Sequence, residues 1–162
     1  MNIVARSERF VRKFISENLP NNIYFHNEIH AQDVAEAVKE IGRVSAVTHE
    51  DIVVLEVAGW FHDTGYCFEY DGHENSSINI ADGFLSSEAC SRDFVEKVIK
   101  CIRSTRFPQQ PNGLLEQIIC DADLYHLSKK NYNDYAVRLR AEWSSILLKG
   151  LLIGIGIYRI LG

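Results

Sequence analysis

His62 and Asp63 stand side by side at the polar end of an otherwise apolar run, Val57-Ala58-Gly59-Trp60-Phe61-His62-Asp63-Thr64-Gly65-Tyr66. Buried charge is costly unless it is compensated, so this pair needs a partner or a metal. Two fragments offer that company: His26-Asn27-Glu28-Ile29-His30 upstream and Asp121-Ala122-Asp123 downstream. His26 and His30 are four residues apart, the spacing that puts two side chains on one face of a helix. Asp123 shares the face of Ile119, whereas Asp121 lies off it, so Asp123 is the aspartate expected to point inward. Two neutral imidazoles and two carboxylates balance a divalent cation and leave positions open for water and substrate. That donor set suits manganese, iron, cobalt, nickel or magnesium better than a closed structural zinc site. An open metal position lowers the pKa of water and polarises a phosphoryl oxygen, which is the chemistry of phosphoester hydrolysis.

Taken singly, each fragment also has a plainer reading. His26 and His30 could be a hydrogen-bonded pair near a helix start, and His62-Asp63 an imidazole and a cap at a helix C-terminus. Gly72-His73-Glu74 could be no more than a loop and the start of the next helix. His49 sits in an N-terminal turn with no expected chemistry, and His126, about one turn after Asp123, could line a pocket.

The elements that must position these residues read as helices. Apolar residues recur at helical spacing over 3–17, 26–41, 74–85, 114–127 and 132–147. Thr48 with Asp51 opens a helix that carries the chain into His62-Asp63 and breaks at Gly65. Ser91 with Asp93 opens another, striped by Phe94, Val95, Val98, Ile99 and Ile102. Residues 66–72 read as a loop, and Pro108 and Pro111 make a second. The expected architecture is an all-α single domain, a compact helical bundle with a buried central helix.

The chain has 162 residues, enough for one domain with a real core and too few for two comfortable ones. A net charge of −5 argues against nucleic acid as a bulk partner but leaves room for a small phosphorylated ligand. Cys67, Cys90, Cys101 and Cys120 show no CxxC spacing, so reduced thiols in a cytoplasmic protein are expected. The N-terminus lacks the apolar core of a signal peptide. Residues 146–161 form the one long apolar stretch, interrupted by Lys149, Gly150, Gly154, Gly156 and Arg159, too short and broken for a membrane span.

Four segments in order, 25–34, 61–66, 72–77 and 120–124, resemble consecutive motifs of the HD-domain superfamily of metal-dependent phosphohydrolases. The resemblance covers roughly residues 10–140. It implies an HD-domain or phosphodiesterase-like helical bundle over residues 1–145, with His30, His62, Asp63 and Asp123 as metal ligands. It also implies hydrolysis of a phosphomonoester or phosphodiester of a small metabolite, a nucleotide above all, by metal-activated water. A non-catalytic module sensing a nucleotide through the same pocket is the alternative.

The first motif is similar to that of cyclic-nucleotide phosphodiesterases, whose earlier histidine donates a proton, which gives His26 that role. His73 and Glu74 fall where the superfamily places a further ligand or an acid/base carboxylate. Binuclear relatives add two histidines between the dyad and the final aspartate, but this chain has only His73 there, so one metal is expected. Arg103, Arg106 and Lys129 are the candidate phosphate-binding cations. Such relatives continue past a stretch like Leu139-Arg140-Ala141-Glu142-Trp143, whereas residues 146–162 are a glycine-interrupted aliphatic tail. Two readings stay open for it: a truncated or altered terminus, or a stripe that packs on a second copy of the chain in a homodimer.

Overall fold

Helix α3 (His49–Phe61) is the element around which the others are arranged, because its sequence leaves it almost no polar face. Val54, Leu55, Val57, Ala58, Gly59, Trp60 and Phe61 are all buried along it. In the computed structural model, which describes residues 2–160 with side chains through residue 148, six other α-helices surround it or follow. These are α1 (Ile3–Asn18), α2 (Glu28–Val44), α4 (His73–Ser87), α5 (Arg92–Ser104), α6 (Leu114–Asp123) and α7 (Tyr132–Ile160). No strand occurs among the described residues, so the all-α expectation holds. Helix α3 packs most extensively on α2, and also against α5, α1, α6 and α4.

Side-chain caps fix where the helices begin. Asn2, Asn27, Thr48 and Ser91 each accept a hydrogen bond from a backbone N–H in the first turn, satisfying donors that a helix start leaves orphaned. Gly59 lets α3 approach α2 closely: a Cβ there would stand 3.1 Å from the backbone N and Cα of Ala35. That approach brings the end of α3 beside the start of α2, where the chemistry-bearing residues lie.

The sixth and seventh helices end elsewhere than the sequence suggests. The sixth helix does not run to 127 but stops at Asp123, with Leu124 bridging to a 3₁₀ turn, Tyr125–Ser128. The tighter turn draws the His126 ring back over the helix end, where its Nδ1 lies 3.1 Å from the Asp123 carbonyl. The seventh helix passes through residue 147 and continues to Ile160. Glycine costs a helix about 1 kcal/mol relative to alanine but does not stop it as proline would. How the apolar stripe of 149–162 packs lies outside the described residues. Among the described residues no helix is long and apolar enough to cross a membrane. The four cysteines carry free thiols.

Candidate metal centre

Four elements deliver one side chain each to a common point. The Asn27 cap accepts from the N–H of Ile29 at 2.9 Å and of His30 at 3.4 Å, which sets His30 in the first turn of α2. His62 follows the last residue of α3, and its N–H still bonds the Ala58 carbonyl at 2.9 Å. Its ring Nδ1 lies 2.9 Å from the Gly59 carbonyl. A carbonyl can only accept, so Nδ1 carries the proton and Nε2 is left as the lone-pair nitrogen. Asp63 is the next residue, at the head of the 3₁₀ turn Thr64–Cys67, and Asp123 ends α6.

His30 Nε2 stands 3.1 Å from Asp123 Oδ1 and 3.4 Å from Asp63 Oδ2. His62 Nε2 stands 3.1 Å from Asp63 Oδ2 and 3.5 Å from Asp123 Oδ1. Neighbouring ligands about 2.1 Å from one octahedral cation are themselves about 3 Å apart, so this spacing is that of a coordination shell. Two of the converging atoms, His62 Nε2 and Asp63 Oδ2, are buried and have no hydrogen-bond partner. Buried polar atoms are nearly always satisfied, and a cation satisfies both. The residues present fit a divalent metal, and the exposed Asp121 plays no part in the cluster.

Without a cation, the carboxylates draw positive charge onto the histidines instead. Burial opposes a charge on His62, yet Asp63 and Asp123 beside it hold its imidazole well above the ordinary histidine value. Burial also opposes ionisation of the two aspartates, but His62 and His73 around Asp63, and His30 and His62 around Asp123, hold both carboxyls below the usual range. A proton and a cation compete for His62 Nε2, so a metal bound there would displace that proton.

The 3₁₀ turn after the dyad is docked on α4 by Gly65. A Cβ there would fall 1.9 Å from the His73 carbonyl oxygen, so no side chain fits, and the Gly65 N–H donates to Ser77 Oγ at 2.8 Å. This contact carries His73 and Glu74 to the cluster. His73 Nδ1 lies 3.1 Å from the Tyr70 carbonyl, which turns Nε2 to within 3.3 Å of Asp63 Oδ1. Burial opposes charge on His73, and the bond to Asp63 overcomes it and raises the imidazole. Glu74 is almost wholly buried; Oε1 is 3.8 Å from His73 Nε2 and Oε2 is 3.5 Å from Arg106 Nε.

His26 is near the site, but not in the way its spacing predicts. It does not share a helix face with His30, because Asn27 caps α2 and leaves His26 in the preceding loop. A residue the sequence reading did not single out holds it there. Glu142, on α7, is wholly buried and bonds His26 Nδ1 through Oε1. It also accepts from the N–H groups of Phe25 and His26 at 2.8 and 3.2 Å, and from the Tyr70 hydroxyl at 3.0 Å. The His26 ring stacks on Tyr66, centroids 4.2 Å apart, and Tyr66 stacks on His73 at 3.8 Å. A glutamate among the polar residues of a long helix gives no local sign of a partner more than a hundred residues upstream.

His26, Asp63, His73, Glu74, Asp123 and His126 line one cavity of about 870 Å³. The predicted phosphate-binding cations do not. Lys129 is bonded to Asp33 at 2.7 Å and Tyr135 at 3.4 Å. Arg103 and Arg106 line a separate hollow of about 500 Å³. Arg106 reaches from there to Glu74 and, at 2.6 Å, to Asn75. His49, the first residue of α3, is remote from the cavity lining.

A family model described as HD domain matches residues 22–128. Neither a curated protein nor a solved structure matches the chain. The matched span includes His26, all four converging side chains, His73 and Glu74, and ends before Glu142.

Proposed function

The chain belongs to the HD-domain family, within the superfamily of metal-dependent phosphohydrolases, and on that premise we propose that it hydrolyses a phosphoester of a small metabolite, a nucleotide above all. The observation that carries the reading is the convergence of His30, His62 and Asp123, with Asp63 Oδ2 within 3.4 Å of both imidazoles, behind a cavity lined by Asp63, Asp123, Glu74 and His26. These four residues would hold one divalent cation. When bound, such a cation supplies Lewis acidity, lowering the pKa of water and polarising a phosphoryl oxygen.

The rest of the work falls to the chain. Water forms the new bond to phosphorus while the bond from phosphorus to the leaving oxygen breaks. Glu74 accepts the proton that water sheds, and His26 gives one to the departing alkoxide. With Nδ1 held by Glu142, Nε2 is the His26 nitrogen left for that transfer. His73 braces Asp63 from the side away from His30 and His62. Product and reactant charges balance as phosphoester plus water becomes alcohol plus phosphate.

A panel of nucleotides and simple phosphoesters, each with manganese, iron, cobalt, nickel and magnesium, tests the reading by phosphate release. Metal-dependent turnover of at least one ester is expected. Glu74→Gln and His26→Asn should each lower it by on the order of a hundredfold with metal retained. Stoichiometric metal and tight nucleotide binding without turnover would replace the enzyme with a sensing module.

A further inference from the structure

The cavity that holds the ligand cluster has a second character away from it. Besides the charged residues, its lining includes Leu124, Leu127, Leu139 and Trp143, together with Phe107 and Pro108. Leu124, Leu127 and Trp143 are 46, 55 and 53 % exposed. They come from two separate segments, the stretch after α6 and helix α7, and line the same cavity. Contiguous exposed apolar surface inside a concave site marks a place for an apolar ligand group.

What the cavity lacks among the described residues matters as much. No lysine or arginine lines it. Arg106, the cation that reaches its edge, is engaged by Glu74 and Asn75, and Lys129 is engaged by Asp33. Lys100 and Arg103 lie in the separate hollow beyond Phe107 and Pro108. An anion seated at the ligand cluster would meet the cation held there; a second or third phosphate further out meets leucines and a tryptophan. Desolvating such a charge without a partner is costly. About 870 Å³ is room for a ligand of nucleoside size.

The geometry points to a phosphomonoester with one charged end and a flat or apolar body, the body lying on Leu124, Leu127, Leu139 and Trp143. This inference rests on the phosphohydrolase reading and narrows it: monophosphates with an aromatic or apolar leaving group are favoured over small polar esters and over di- and triphosphates. Each methylene moved from water to such a wall gains roughly fourfold in affinity. A benzyl group in place of a methyl should therefore gain at least about tenfold, allowing for incomplete burial.

The test uses the full chain loaded with manganese. Calorimetry would compare benzylphosphonate with methylphosphonate, neither of which can be hydrolysed as an ester. A preference of at least about tenfold for the benzyl compound, falling to about parity in Leu127→Asp and Leu124→Ser, is expected. In turnover, benzyl phosphate should exceed glycerol phosphate in kcat/KM, and a nucleoside monophosphate should exceed its triphosphate. Equal affinity for the two phosphonates would overturn the inference whether or not any ester is cleaved. So would faster turnover of the triphosphate that is lost in Arg103→Glu, because the distal hollow would then hold the added phosphates. If no ester is cleaved but the phosphonate preference stands, the hydrolytic reading fails alone, and an apolar-bodied phosphate remains the ligand.

Discussion

Replacing Glu142 with glutamine perturbs the centre without touching a metal ligand. The wild-type carboxylate is wholly buried and accepts from the backbone N–H of Phe25 and His26, from the Tyr70 hydroxyl and from His26 Nδ1. Glutamine keeps one carbonyl oxygen, enough for the two backbone donors, but turns an NH₂ group toward His26 and Tyr70. The tyrosine hydroxyl can rotate to accept, and His26 can accept only by moving its proton to Nε2. Bonds are thus kept while their charge assistance is lost. A hydrogen bond to a charged group contributes about 1.5–3 kcal/mol and a neutral one about 0.5–1.5, so E142Q should lose about 1–3 kcal/mol. Burial opposes ionisation of Glu142, but the bonds from His26 and the Phe25 and His26 amides hold its carboxyl below the ordinary value of 4.5. Its contribution is therefore full above that value and is lost as the pH falls through the lowered folded-state value. Urea denaturation across pH should show a wild-type advantage near neutrality that shrinks in acid. Phosphate release should fall at least tenfold, because the proton on Nε2 is then no longer backed by a carboxylate at Nδ1 and is given up less readily to the leaving oxygen. A stability gap independent of pH together with unchanged turnover would refute the role given to Glu142.

Further predictions concern the supports of the site. Gly65→Ala places a Cβ 1.9 Å from the His73 carbonyl; the obstacle is backbone, so a loss near 3 kcal/mol or more in denaturant unfolding is expected, and a loss under about 0.5 kcal/mol would contradict that packing. Lys129→Ala removes the bonds to Asp33 and Tyr135 and should lower stability by about 1 kcal/mol while leaving KM unchanged; a KM rise at unchanged stability would restore it as a phosphate ligand. Gly59→Ala, where a Cβ meets Ala35 backbone at 3.1 Å, should separate α3 from α2 and weaken metal affinity as well as stability, checked by metal titration and thermal melts. Calorimetric titration should find a single tight divalent site per chain, and two sites of comparable affinity, both needed for turnover, would move the centre to a binuclear arrangement.

The parts of this centre that were legible in the sequence are those set by local periodicity. Asp123 is separable from Asp121 because the apolar face of α6 selects one of two positions, and Thr48 and Ser91 announce their helices because an N-cap acts within three residues. The apolar circumference of α3 marks the buried helix that ends in His62. His26 was misplaced because the four-residue spacing to His30 matches a helical turn, while the capping choice at Asn27 ends the helix one residue short of it. Glu142 and Arg106 were illegible in their roles for a different reason. Their partners, His26 and Glu74, lie far away in sequence, and only the tertiary placement of α7 and of the segment after α5 brings them together.

The central claim is that His30, His62, Asp63 and Asp123 hold a divalent cation that phosphoester hydrolysis requires. Metal content and phosphate release, measured side by side on the wild type and Asp63→Ala with helicity checked by circular dichroism, test it most directly. One equivalent of metal and metal-dependent release are expected in the wild type, and neither in a variant that stays helical. Stoichiometric metal retained by the helical Asp63→Ala protein, or release undiminished after chelation, would contradict it.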